Sequence, residues 1–271
     1  MKKIVIPSTK EQIEKINEYV DGYILNIEKL STLSTNTYSV KEIKEIKNKT
    51  NKKVFVRINK NILNSEIELL DEYINKLNEI DIDGIMFYDL SILNKKDKIK
   101  ADLIWDSEHA TTNYLTINYY QKEGVVGTYI SSDITKDDIL KIRQKTNQIL
   151  FTNVFGYLPI FNSFRPLIEN YKKTFNLNSE NNYYLEKENK RYKIIEKPNN
   201  TFMYSDKIFS ALEYINEYKN IEYFVFNSID IDDDTFIDVL KNYKDYNYIN
   251  NLFETSKYFL ENKTIYKVKR W

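Results

Sequence analysis

Cysteine is absent from the 271 residues, and glycine (5), proline (4) and histidine (1) are scarce. Without cysteine there is no disulfide, no thiolate-held zinc or iron–sulfur centre, and no cysteine nucleophile. Long hydrophobic runs are missing too. Met1, Lys2 and Lys3 are followed only by Ile4, Val5 and Ile6 before Pro7. That is too short for a secretory signal, and no later run would span a bilayer. An excess of either charge is also lacking, with 40 basic residues against 40 acidic. A zero balance argues against a global basic field for nucleic acid but permits a local patch. A soluble, cytoplasmic protein with no membrane partner is expected.

What is present is enough to fold. The chain is 42% hydrophobic and 14% aromatic, and its length can bury a substantial core. Lysine, asparagine, isoleucine and tyrosine are abundant, as AT-rich coding produces, so lysine richness by itself says little about partners. Arginine is the informative cation. Only Arg57, Arg143, Arg165, Arg191 and Arg270 occur, and arginine offers a planar fork that lysine lacks.

Short β-branched or aromatic runs alternate with segments of helical period. Strands are predicted at 3–6, 22–27, 54–58, 84–88, 103–105, 125–130, 149–155 and 223–226. Helices are predicted at 10–19, 40–47, 65–79, 112–122, 136–145 and 206–218, and from 233 to about 261. Eight strand–helix units in this order predict an α/β fold, a TIM-like (β/α)8 barrel. An open doubly wound sheet is the alternative, but no Gly-rich dinucleotide turn accompanies it. The interval between strands seven and eight is long. Runs at 183–188 and 192–196 flank a polar turn there, predicting a β-hairpin insertion at about 157–204. With neither internal repeats nor a low-complexity linker, residues 1–271 are expected to form one barrel domain.

Active sites of such barrels lie at the C-terminal ends of the strands. Those ends carry Asn26 and Glu28, Arg57 and Asn59, Asp89, Asp106 with Glu108 and His109, residues 131–133, Asn153, and Asn227 with Asp230. Alternation puts Phe55, Arg57 and Asn59 on one side of their strand and Val54, Val56 and Ile58 on the other. If the aliphatic side packs on helices, Arg57 points inward and needs a carboxylate, for which Glu28 and Asp89 on the flanking strands are candidates. Asp106 and Glu108 are two apart on a strand end, beside the single histidine. Asp106, Glu108 and His109 are therefore the candidate catalytic groups for acid–base work. A divalent cation between the carboxylates is the lesser alternative, and no metal or other cofactor is expected. No Gly-x-Ser-x-Gly elbow supports a serine triad.

Segment 154–171 concentrates Gly156, Pro159, Pro166 and Arg165. It resembles the signature of peptidase family U32, the collagenase-like group, at Gly156, Ser163, Arg165, Leu167, Asn170 and Tyr171. Trp105 to Asn113 and the strand beginning after Gly124 resemble further elements of that family. The resemblance implies a TIM-like barrel. It adds Asn113, Ser163, Arg165, Asn170 and Tyr171 to Arg57, Asn59 and Asp89 as substrate-binding candidates. In cluster-bearing members, signature cysteines hold a four-iron–four-sulfur centre; here Pro159 and Pro166 stand at two such positions. Phe155 replaces the signature histidine. The sequence looks closest to short, cysteine-poor members that accompany a cluster-bearing paralogue. For them the family implies oxygen-independent hydroxylation of RNA bases, including the tRNA wobble uridine. A cluster-less partner subunit is therefore expected, with a cysteine-bearing paralogue and tRNA as partners. The family link to prephenate as hydroxyl donor adds a small carboxylate ligand, gripped by Arg57 and Arg165. The alternative is a collagenase-like peptidase or other hydrolase acting through Asp106, Glu108 and His109.

Overall fold

The computed structural model describes residues 1–107, 109–178, 183–197 and 200–262. Period-two apolar runs form β1 (Lys2–Ile6), β2 (Gly22–Asn26), β3 (Lys53–Ile58), β4 (Gly84–Phe87), β5 (Asp102–Trp105), β6 (Gly127–Tyr129) and β7 (Ile149–Gly156). Between them run α1 (Lys10–Ile16), α2 (Val40–Lys49), α3 (Ile67–Leu77), α4 (Leu90–Leu93), α5 (Tyr114–Lys122) and α6 (Lys136–Lys145). Then come β8 (Pro159–Ser163), α7 (Leu167–Phe175), β9 (Tyr183–Lys187), β10 (Lys190–Lys197), β11 (Asn200–Tyr204) and β12 (Ile208–Ser210). The described chain finishes with β13 (Tyr223–Asn227), α8 (Asp233–Asn242), α9 (Tyr246–Leu252) and β14 (Thr255–Ser256).

Strands β1 to β7 lie side by side in parallel order, and β13 pairs in parallel with both β1 and β7. The sheet therefore closes into the expected TIM-like (β/α)8 barrel. Its lumen is packed by Ile24, Phe55, Met86, Ile104, Phe151 and Tyr223, among others. Phe151 stacks on Tyr223 at 4.5 Å and meets Phe55 edge-on at 5.1 Å, geometries that suit the ring quadrupoles. Val54, Val56 and Ile58 face the larger core between barrel and helices, as the alternation required.

Six of the helices that follow strands begin on side-chain caps in the rim loops. Thr9, Ser39, Asp89, Asn113, Thr135 and Asp232 each accept a backbone N–H of the first helical turn. Such caps satisfy donors that the helix leaves open. At Ser39 the cap is reciprocal, because Glu42 accepts the Ser39 N–H at 2.8 Å.

The insertion is larger than a hairpin. Strands β9 and β10 pair as expected, but β10 also pairs with β11 and β11 with β8, giving a four-stranded antiparallel sheet in the order β8-β11-β10-β9. The helix predicted at 206–218 is not formed. Residues 208–210 instead run antiparallel to the end of β7, followed by a single 3-10 turn at Leu212–Tyr214. Likewise β14 interrupts the helical stretch expected from 233 to about 261, because it pairs with β12. In both places the free backbone edge beyond β7 recruits residues whose local pattern suits a helix. Among the described residues no helix is long and apolar enough to cross a membrane.

Gly156 closes the barrel. Its φ is +121°, and a Cβ there would lie 2.2 Å from the Asn227 carbonyl oxygen. Gly156→Ala is expected to cost on the order of 2–3 kcal/mol and to lower the thermal midpoint by roughly 5–10 °C, measured by calorimetry.

At the other end of the barrel, Asp83 accepts bonds from Lys47 Nζ (2.7 Å), Lys53 Nζ (2.7 Å) and the Val54 N–H (2.8 Å). Burial raises the Asp83 carboxyl, but these bonds outweigh it and hold its pKa below the ordinary 3.8. A carboxyl depressed by folding stabilises above its unfolded pKa, and that stabilisation is lost as pH falls through the folded value. Urea midpoints of Asp83→Asn should therefore fall less steeply below about pH 4 than those of the parent chain.

Candidate functional site

Inward positions near the C-terminal ends of the strands change from apolar to polar. Above the lumen core lie Asn26, Arg57, Asp106, Asn153 and Asn227. Arg57 is buried, as alternation predicted, but its partner is neither Glu28 nor Asp89. Arg57 Nε lies 2.7 Å from Asp106 Oδ2, and the Asp106 side chain is 0% exposed. The N–H is not aimed along that line, so the attraction is Coulombic more than a directed hydrogen bond.

The correction has a geometric reason. Inward side chains of alternate strands share layers in an eight-stranded barrel, so β3 meets β5 across the lumen. The flanking acids are already engaged on the rim. Glu28 accepts the Tyr73 hydroxyl at 3.2 Å. Asp89 caps α4 through the Ser91 N–H (2.8 Å) and accepts the Ile62 N–H at 3.0 Å. Burial raises the Asp89 carboxyl, but those two N–H bonds hold it below its ordinary value.

The guanidinium carbon of Arg57 sits 5.2 Å from the centre of the Tyr129 ring, a cation–π distance. Tyr129 donates its hydroxyl to Asn153 Oδ1 at 2.6 Å, and Asn153 Nδ2 donates to Ser132 Oγ at 2.7 Å. Asn227 Nδ2 donates to the Tyr157 carbonyl at 3.0 Å, tying the last barrel strand to the start of the insertion. On the exposed rim His109 Nδ1 lies 2.6 Å from Asp133 Oδ2, which fixes the orientation of the imidazole. Arg57, Tyr129, Asn153, His109 and Asp133 line one cavity, roofed by Leu158 and Pro159.

The three catalytic candidates are thus dispersed in role. Asp106 is committed beneath the cavity to Arg57, His109 pairs with Asp133 rather than with Asp106, and Glu108 lies outside the described residues. Asn59 stands on the rim, where its Oδ1 accepts the Thr32 N–H at 2.8 Å. Asn113 is exposed and caps α5. The insertion candidates do not converge on Arg57 either. Ser163 ends β8 and pairs with Thr201 of β11. Arg165, Asn170 and Tyr171 are exposed, and Tyr171 packs on Phe175 of the same helix at 4.7 Å. Arg165 does not line the cavity that holds Arg57.

Sequence reading named Asn153, Asn227 and Asp133 only as strand ends and passed over Tyr129. The alternation of Gly127, Tyr129 and Ser131 would have placed that ring inward. Glu196 was missed as well. Its two oxygens accept the Ile168 and Glu169 N–H groups at 2.6 and 2.9 Å, capping α7 from a neighbouring strand.

The donor set does not fit an iron–sulfur centre. Pro159, at one signature cysteine position, forms part of the cavity roof. Pro166, at the other, precedes the first residue of α7. Neither side chain has an atom that binds iron, and the chain has no thiolate elsewhere. Among the described residues no three His, Asp or Glu side chains gather as a metal-binding group.

Comparison with known proteins adds a family and one relative. The profile described as Peptidase family U32 matches residues 29–264. A Bacillus subtilis (strain 168) protein named tRNA hydroxylation protein P2 is 30% identical over 125 residues, which is 45% of this chain and 40% of that protein. Solved structures similar in fold include a 3-hexulose-6-phosphate synthase, 15% identical with a TM-score of 0.40, over 56% of this chain and 79% of the other. A GH18 chitinase from Cycas revoluta is 10% identical with a TM-score of 0.44, over 90% of this chain and 99% of that one.

Breaking the buried pair should be costly. Arg57→Met or Asp106→Asn alone leaves an uncompensated buried group and is expected to lose about 3–5 kcal/mol. Arg57→Met combined with Asp106→Leu should recover much of that loss, as read from urea unfolding of all three variants.

Proposed function

Because the chain belongs to peptidase family U32, we propose that it serves as a cluster-less partner subunit in oxygen-independent hydroxylation of the tRNA wobble uridine. The observation that carries this reading is the likeness to a tRNA hydroxylation protein in a chain that contains no thiolate. The oxygen-independent chemistry and the wobble position come from the family resemblance. Redox chemistry of an iron–sulfur centre then belongs to a cysteine-bearing paralogue, and this chain contributes binding and shape. Its cavity suits that division of labour. Arg57 is held in place by Asp106 and presents an oriented guanidinium fork beneath the mouth, a geometry that suits a small carboxylate donor. The Tyr129–Asn153–Ser132 chain supplies ordered donors and acceptors at the height where a base or carboxylate would enter.

The hydrolase reading draws less support, because Asp106 is committed to Arg57 and His109 leans on Asp133. Three measurements separate them. Deletion of the gene should abolish hydroxylated wobble uridine in nucleoside mass spectrometry of bulk tRNA, and a tagged copy should capture a cysteine-containing paralogue. Unchanged tRNA modification on deletion would reject the partner reading. Gelatin cleavage by the purified chain that disappears in His109→Ala would favour the hydrolase instead.

A further inference from the structure

Three depressions on the C-terminal rim share walls. The mouth above Arg57 shares Leu33, His109, Pro159 and Ile160 with a second hollow, and that hollow shares Thr32, Leu33, Asn61 and Phe164 with a groove beside the antiparallel sheet. Together they make one track leading from the second sheet to the barrel mouth.

The far groove is positive, although the whole chain is neutral. Its charged lining is Lys29, Lys60 and Lys197 against the single carboxylate of Glu66, and Glu66 is already bound to Lys60. Burial pushes the Lys197 ammonium down from its ordinary value, a cost that an incoming anion would offset. Lysine abundance alone does not produce this. The groove between α1 and α2 has Lys10 and Lys49 against Glu14, Glu42 and Glu45, an acidic balance.

The lining also carries flat apolar surface. Phe164 is 47% exposed and Leu63 60%. Single-stranded RNA would use the lysines and the ring together, with phosphates on ammonium groups and a base stacked on the aromatic face.

We propose that this track binds a single-stranded RNA segment, with phosphates on Lys29 and Lys197 and a base against Phe164. The track rests on the tRNA-modification reading and supplies the contact surface that reading lacks. It brings the strand past Leu33 and His109 to the barrel mouth, where a paralogue could act on the presented nucleotide.

The test is fluorescence anisotropy of a labelled anticodon stem–loop RNA with the purified chain, repeated over a range of salt. Lys29→Ala with Lys197→Ala should weaken binding about tenfold and reduce the log–log salt slope by about two. Phe164→Ala should weaken it roughly fivefold or more with the slope unchanged. Arginine at both lysine positions should preserve binding, which guards against misfolding of the alanine pair, and Lys49→Ala should change nothing. Failure of the chain to bind RNA overturns the track. So does equal binding by the Lys29/Lys197 alanine pair, or displacement by polyglutamate as effective as by unlabelled RNA. The tRNA assay on the deletion strain reports separately. Lost hydroxylation with track-independent RNA binding rejects only the track. Intact hydroxylation with track-dependent binding rejects only the partner function.

Discussion

Where β7 meets β13 the eight barrel strands close on themselves, and every inward side chain must share the lumen with those of the other strands. Gly156 makes that seam possible, since a side chain there would strike the Asn227 backbone. Closure then sets the composition of the interior. Aromatic rings fill the centre, and the next inward layer holds Arg57 and Asp106, which meet across the lumen rather than along the sheet. The mouth takes its chemistry from this layer, because a buried arginine held by a buried carboxylate is a fixed, oriented guanidinium beneath whatever binds above.

The rim shows how one residue type serves two purposes. Loops after parallel strands must begin the next helix, and the first helical N–H groups need acceptors. Asp89 and Asn113 meet that need, as do Ser39, Thr135 and Asp232. Polar side chains at strand ends therefore read alike whether they cap or bind. Asn153 and Asp133 differ from the caps only because their partners, Tyr129 and His109, come from other elements of the rim.

Family membership and the cysteine-free composition together frame the function. The signature segment is kept in order, yet its proline positions offer no ligand to iron. What the insertion does supply is a wall, with Leu158 and Pro159 over the mouth and Phe164 and Lys197 along the adjoining groove. A basic flank beside the mouth, in a chain with no thiolate, accords with the proposed role of holding a substrate for chemistry done by a partner.

The sequence by itself determined the barrel and the inward turn of Arg57, because eight alternating runs and their helical spacers are local patterns that parallel closure satisfies. It determined as well that this chain offers no thiolate ligand to iron, since no fold can supply a missing cysteine. Only the tertiary structure decided that Arg57 answers to Asp106 and that His109 answers to Asp133. It also decided that residues 208–210 extend the sheet beyond β7 instead of starting a helix, and that the hairpin grows to four strands. Each of these depends on which backbone edge or charge lies nearby in space, and strand order within a closed barrel sets that distance, not separation along the chain.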